Sequence, residues 1–278
     1  MSAREGQPLL KVEGLRVRYE SGRSIWGTPR YREVVHGVSF EVGYGRTVGL
    51  VGESGSGKST IGKALLRQIP VLAGSILFEG KDMAAVAPTR TPLAYKRAVQ
   101  VVFQNPLMSL NPRMLARETV AEAVRFHTGL DGEELSRRVG TLFDDVGLAR
   151  RLGERYPREL SGGQQQRVAI ARALASDPRL VICDEAVSAL DVSTQAQVIG
   201  LLRRLQAERG VSYVFISHDL GIVRSLCHTV GVLRQGDLVE AGETEAIYRQ
   251  PAHQYTRALL DAIPRLEPRR ATSEATAS

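Results

Sequence analysis

One continuous stretch carries the most specific chemistry in this chain of 278 residues: Gly52-Glu53-Ser54-Gly55-Ser56-Gly57-Lys58-Ser59 follows the pattern Gly-x4-Gly-Lys-Ser/Thr. Its glycines let a backbone wrap closely enough for N–H groups to cradle phosphate oxygens, and a helix starting there adds the positive end of its dipole. In such a loop Lys58 reaches the beta and gamma phosphates, Ser59 offers a hydroxyl to Mg2+, and Thr60 closes the candidate nucleotide-binding run. A metal held by one hydroxyl and phosphates needs a carboxylate, and Leu180-Val181-Ile182-Cys183-Asp184-Glu185 supplies two at a strand end. Asp184 is the natural Mg2+ partner. Glu185, differently directed, is a candidate general base or polarising group for water attacking a gamma phosphate. A strand ending in solvated acids is the plainer alternative. Leu160-Ser161-Gly162-Gly163-Gln164 sets an N-cap serine and two bare glycines at a second helix start, where backbone N–H groups again face an anion. Taken alone, Ser161 would be an ordinary cap.

These residues need elements to position them. Thr47 to Val51 is a short apolar run and Ser59 to Gln68 has helical composition, which gives strand, loop, helix around the phosphate pattern. Leu9 to Tyr19 and Val34 to Val42 alternate as strands around a polar stretch, Glu20 to Arg32, that reads as a loop or hairpin insertion. Val99 to Phe103 is a further strand. From Met114 to Val146 the apolar residues fall at helical spacing, broken near Gly129 and Gly147, as in an inserted helical subdomain. Gln164 to Ala175 is a helix stopped by Asp177-Pro178, Val198 to Gln206 another helix, and Tyr213 to Ser217 a strand. Thr229 to Leu233 and Leu238 to Ala241 flank a turn, and the tail from Pro264 has a disordered composition. Strands alternating with helices predict a mostly parallel sheet in an α/β fold. No internal repeat is visible.

With 43% hydrophobic residues the chain can bury a sizeable core, and disorder as the main theme is excluded. No apolar run reaches the roughly 18 residues of a membrane span, and the start has no stretch of signal-peptide type, so a cytoplasmic location is expected. Cys183 and Cys227 are too few for a disulfide framework or zinc cluster and read as packing residues. The net charge of +7 lies wholly in residues 1 to 112, which hold 15 basic and 8 acidic side chains; residues 113 to 159 hold 9 of each. Lys58, Lys63, Arg67, Lys81, Arg90, Lys96 and Arg97 could form a surface for nucleotide, anionic lipid or nucleic acid, or simply a solvated face.

With the phosphate loop, the Leu-Ser-Gly-Gly-Gln pentapeptide and the Asp-Glu strand end in this order, the sequence resembles the ATP-binding cassette family from about Leu9 to Gly242. The resemblance implies a phosphate-loop NTPase core with an N-terminal antiparallel β subdomain and an inserted helical subdomain. It assigns Gln104 to Mg2+, the attacking water and the membrane partner, and Ser188-Ala189-Leu190-Asp191 to contact with an opposite subunit. His218 resembles the switch histidine at the gamma phosphate, and Tyr19 the aromatic stacked on adenine; Gly22, Trp26 and Gly27 blur the local alignment. The implied organisation is a core over 1–104, a helical subdomain over 105–160, the rest of the core over 161–250 and an extension over 251–278. In the family two such domains pair head to tail, each ATP lying between one phosphate loop and the other chain's signature. The cofactor expectation is therefore ATP with Mg2+, and the activity ATP hydrolysis.

Phe103-Gln104-Asn105-Pro106, Ser109 to Arg113, Cys183 to Ser193 and His253-Gln254-Tyr255-Thr256-Arg257-Ala258-Leu259-Leu260 are similar to the ATPase subunits of bacterial oligopeptide and dipeptide importers, whose relatives carry nickel or glutathione. That implies partners: a second cassette ATPase, identical or related, two multi-span permease subunits and a separate solute-binding protein. No cysteine follows Cys227, so the iron–sulfur centre of many members is not expected. A nucleic-acid or ribosome-associated cassette would suit the +7, but the long coiled coil, zinc cysteines or second cassette of such proteins are missing, and no nucleic-acid partner is expected. An ATPase of another importer or of an exporter would share the core chemistry.

Overall fold

Thr47–Val51, Leu180–Asp184 and Ser212–Ser217 are short and almost wholly apolar, the pattern of strands buried on both faces. The computed structural model, which describes residues 7–23 and 29–262, places all three at the centre of one sheet. The chain opens with β1 (Leu10–Arg23), β2 (Pro29–Val42) and β3 (Thr47–Val51), then α1 (Lys58–Leu65), β4 (Ala73–Phe78), β5 (Lys81–Asp82), α2 (Leu93–Ala98) and β6 (Val99–Phe103). A helical stretch follows: α3 (Pro106–Ser109), α4 (Ala116–Thr128), α5 (Gly132–Asp145) and α6 (Gly162–Leu174). The remainder alternates through β7 (Leu180–Asp184), α7 (Val192–Arg209), β8 (Ser212–Ser217), α8 (Leu220–Leu226), β9 (Thr229–Arg234), β10 (Asp237–Glu243), α9 (Thr244–Arg249) and α10 (Gln254–Asp261).

The larger sheet has the order β10-β9-β3-β8-β7-β6, parallel except for β10 on β9. The smaller one is antiparallel, β2-β1-β4-β5. Alternation along the central strands divides their side chains between two cores. Leu180, Ile182, Val214 and Ile216 join Ile61 and Leu65 of α1 and the inner face of the antiparallel sheet, including Leu10, Val12 and Val38. Val181, Cys183, Tyr213 and Phe215 join the opposite core, which runs on through α6 to Val120, Leu142 and Phe143 of the helical region. Truncating a fully buried side chain such as Ile182 costs about 2–5 kcal/mol, because the cavity collapses only partly. Gly49 lets α8 lie directly on β3: a Cβ there would meet Val223 at 2.8 Å and the Cys227 sulfur at 2.9 Å.

The helices between Met114 and Val146 end at Gly129 (φ 74°) and near Gly147 (φ 65°), left-handed positions that glycine adopts without strain. An ionic cluster joins this region to the core: Arg138 reaches Asp177 at 2.6 Å, while Arg209 of α7 binds Asp145 at the end of α5 and lies 3.4 Å from Asp177. The Glu20 to Arg32 stretch continues the β1–β2 hairpin at least to Arg23 opposite Pro29, whereas Trp26, Gly27 and the tail from Pro264 lie outside the described residues. The sequence reading missed β4, β5, α2, α3 and α8 to α10. β4 opens on Ala73-Gly74-Ser75, which gives little periodic signal, yet it is fixed by pairing with β1.

Candidate active site

The loop after β3 is shaped by contacts that leave no room for side chains. A Cβ on Gly52 (φ 149°) would fall 2.1 Å from the Leu233 carbonyl oxygen, and one on Gly57 (φ 106°) 3.1 Å from that of Val34. The turn after β9 clamps the loop, with the Gly236 N–H donating to the Ser56 carbonyl at 3.0 Å. Within this frame the buried Lys58 ammonium donates to the carbonyls of Gly52 (2.7 Å) and Glu53 (2.8 Å). Burial lowers its pKa, opposed by the charges of Glu185, Asp184 and Glu53. Glu53, Ser54 and Gly55 form an exposed rim. Tyr19 is half-buried on β1, and its hydroxyl donates to Thr60 Oγ1 at 3.5 Å, beside the first turn of α1.

Parallel pairing brings the carboxyl ends of neighbouring strands together, where open α/β sheets bind their ligands. Ser59 Oγ donates to Asp184 Oδ1 at 3.0 Å. Burial raises the Asp184 pKa and the Ser59 hydrogen bond offsets part of that rise. Two neighbouring corners of an Mg2+ octahedron stand about 2.9 Å apart for ligand distances of roughly 2.0 to 2.1 Å. The serine hydroxyl and carboxylate therefore fit such an ion, and both are hard oxygen donors. Among the described residues no cluster of three or more His, Cys, Asp and Glu side chains could hold a metal on protein ligands alone. Phosphate oxygens and water would supply the remaining ligands. Glu185 (φ 50°) is held in the left-handed region by its N–H, which donates to the Ile216 carbonyl at 2.9 Å. Its Oε2 lies 3.5 Å from Nδ1 of the exposed His218, after β8. Gln104 is exposed one residue beyond the Phe103–Asp184 register pair.

The second glycine-rich helix start lies apart from the phosphate loop. Ser161 Oγ accepts the Gln164 N–H at 3.4 Å and Gln164 Oε1 accepts the Ser161 N–H at 3.0 Å, a reciprocal cap. A cavity of about 280 Å³ beside it is lined by Ser161, Gly163, Gln164, Arg167 and Thr194 and by no residue of 52–60. Gly162 and Gly163 give α6 its close approach to the segment after β7: a Cβ on Gly163 would meet Thr194 Cγ2 at 2.5 Å. Asp191 caps α7, taking the Thr194 N–H at 2.9 Å and the hydroxyls of Ser193 (2.6 Å) and Thr194 (2.7 Å), which hold its carboxyl far below the usual range. Cys183 is buried, its thiol pKa pushed up to about 12 by desolvation. Sequence reasoning gave no role at this site to Arg234 or Tyr255. The Tyr255 hydroxyl accepts the Glu53 N–H at 3.2 Å across 202 residues of chain, a separation that no local spacing reveals.

A family model described as ABC transporter matches residues 35–188. The chain belongs to the ABC transporter family. A second model, Oligopeptide/dipeptide transporter, C-terminal region, matches this cassette over residues 239–278. The cassette is 44% identical over 267 residues to the glutathione import ATP-binding protein GsiA of Escherichia coli K12, covering 96% of this chain but only 43% of that protein. It therefore spans less than half the length of that relative. The putative oligopeptide transport ATP-binding protein YkfD of Bacillus subtilis is 42% identical over 262 residues, with 94% of this chain and 78% of that protein aligned. Among solved structures, cbiO1 from Clostridium perfringens, part of the ABC transporter complex cbiONQ, superposes with a TM-score of 0.74 at 26% identity, over 87% of this chain and 91% of that one. A dimeric ATP-binding cassette in a post-hydrolysis state, bound to ADP and Pi, gives 0.73 at 26% identity, over 84% of this chain and 98% of that one.

Proposed function

We propose that this chain is the ATP-hydrolysing subunit of an importer for peptides or a related small solute such as glutathione or nickel. One observation carries the catalytic half of the reading: Lys58, the Ser59–Asp184 pair and the Glu185–His218 pair converge at the carboxyl ends of adjacent parallel strands. The backbone N–H groups of residues 54–60 and the Lys58 ammonium bind the phosphates, and Tyr19 offers its ring to the adenine. Ser59, Asp184 and Gln104 would hold Mg2+. Such an ion would supply neutralisation of the phosphate charge. Glu185 takes the proton from the attacking water, and His218 orients Glu185 and the gamma phosphate. Ser161, Gly162, Gly163 and Gln164, with Asp191, serve the ATP of a second cassette in a head-to-tail pair, identical or related. Such closure uses nucleotide as part of the interface, so hydrolysis reopens it.

The cargo class is supported by the match at residues 239–278 and by the names of the relatives. No helix of the described residues is long and apolar enough to cross a membrane. On this reading two multi-span permease subunits form the pore, a separate solute-binding protein delivers the cargo, and the cassette sits at the inner membrane face. The exposed Phe103, Leu107 and Phe126 lie in and near the helical region that would meet the permeases. The test is a mild-detergent capture of tagged Glu185→Gln with ATP and Mg2+ from its host. Multi-span membrane proteins are expected to come along, and a second cassette ATPase among them would make the pair heteromeric. Recovery of nucleic acid or ribosomes with no membrane protein would overturn the transport assignment.

A further inference from the structure

The peptide unit joining Gly52 to Glu53 is gripped at both edges. Its carbonyl oxygen, on Gly52, accepts from Lys58 Nζ at 2.7 Å, and its N–H, on Glu53, donates to the Tyr255 hydroxyl at 3.2 Å. A trans peptide is planar, with C=O and N–H pointing opposite ways. The two bonds therefore oppose rotation of one rigid plane, with the phenol at one edge of it and the ammonium at the opposite edge. Lys58 also donates to the carbonyl of the next peptide, that of Glu53, at 2.8 Å, so the plane helps to fix where the charge rests.

Tyr255 is held independently of the loop. The Glu240 carboxylate takes the N–H groups of Ala252 (2.7 Å) and His253 (3.0 Å), and His253 Nδ1 takes that of Tyr255 (3.1 Å), capping α10. The Arg257 guanidinium ties the same turn by donating to the carbonyls of Pro251 (2.9 Å) and Ala252 (2.8 Å). The Tyr255 ring is 9% exposed and faces the Arg234 guanidinium, 5.1 Å from its centroid. A cavity of about 270 Å³ lies between this ring, Arg234 and the loop residues Glu53, Ser54 and Ser56. The hydroxyl is thus presented to the loop from a fixed post.

We propose that Tyr255 is a positioning residue for the nucleotide phosphates: through the Gly52–Glu53 peptide it sets the place of the Lys58 ammonium and makes α10 part of the nucleotide site. The inference rests on the reading of residues 52–59 as the phosphate cradle. ATP and ADP both carry the phosphate that Lys58 serves first, so both feel the loss of the hydroxyl.

Tyr255→Phe in the full chain removes that oxygen and keeps the ring, its packing and the Arg234 contact. Exchange of the Glu53 amide is expected to quicken and ADP affinity to fall about three- to tenfold. The KM for ATP should rise by a similar factor with a smaller change in kcat, at temperatures well below an almost unchanged thermal midpoint. If the ring served packing alone, Phe would fill its place, and wild-type exchange at Glu53 with wild-type ADP affinity overturns the proposal. A wild-type chain that binds no nucleotide would instead overturn the cradle reading, and exchange at Glu53 would still decide whether the contact exists.

Discussion

His218 Nδ1 lies 3.5 Å from Glu185 Oε2, joining the ends of two neighbouring parallel strands through one side-chain contact. A carboxylate in that place can accept a proton and an amide of the same size cannot. Glu185→Gln should therefore keep nucleotide binding and slow phosphate release by about 100-fold or more. The chain should then collect as an ATP-bound dimer. Light scattering at saturating ATP and Mg2+ checks this, and a monomer there is the contrary result.

Ser59→Ala removes the hydroxyl that stands 3.0 Å from Asp184 and partly offsets the effect of burial on that carboxyl. The Mg2+ concentration giving half-maximal hydrolysis should rise about tenfold or more. Metal-free nucleotide binding, which leans on Lys58 and the loop N–H groups, should change little. A Mg2+ titration of the two proteins that superimposes would remove Ser59 from the metal site.

Two glycines give opposite expectations. Gly52→Ala places a Cβ 2.1 Å from the Leu233 oxygen at φ 149°, so the loop or the β9 turn must shift, at a cost of about 1–3 kcal/mol and with loss of nucleotide binding. Gly200, within α7, has nothing within 4 Å of an added Cβ. Gly200→Ala should stabilise the fold by about 0.5–1 kcal/mol. Urea melts of both variants test the pair, and equal shifts in either direction would contradict the steric account.

His228 makes stability depend on pH. Burial and the charge of Arg46 lower its pKa below the ordinary 6.5, with Arg203 acting the same way and Glu243 against it. The Thr47 N–H donates to its Nδ1 at 3.0 Å, a bond only the unprotonated nitrogen accepts. The unfolded chain takes up a proton near pH 6.5 and the folded chain only at lower pH, so stability falls as pH drops through that window. His127, lowered by burial and by Arg97, acts in the same direction. The His228 ring should titrate below 6.5 by NMR, with the thermal midpoint dropping from about pH 7 to about pH 5.5. A ring midpoint at or above 6.5 would contradict this.

The parts of the site legible in the sequence are those made by contiguous residues. Gly52 to Ser59 and Leu180 to Glu185 suggest, before any fold is known, the phosphate loop and metal-side carboxylate proposed above, because loop, strand end and chemistry are written in one run. The central strands were legible for the same reason, since burial on both faces leaves an unbroken apolar run. The Ser59–Asp184 contact spans 125 residues and Glu53–Tyr255 spans 202, and the sheet alone brings such partners together. β4 was hidden because its place comes from pairing with β1 rather than from its own Ala73-Gly74-Ser75 opening. Asp191 shows how one motif residue can have a local task as well: its carboxylate caps α7 within the chain.

The ions that join α5 to the core differ from those on the outer surface. Arg209 and Asp145 are only 23% and 21% exposed, whereas Arg150–Asp144 and Arg155–Glu159 stand largely in water. At cellular salt the Debye length is about 8 Å, which weakens exposed pairs far more than sheltered ones. The Arg209–Asp145 pair therefore loses less to salt than the outer pairs, while Asp177, whose side chain is 65% exposed, adds contacts to Arg138 and Arg209 that are open to screening. Raising the salt concentration should thus loosen the outer surface of the helical lobe before it loosens the tie between α5 and α7.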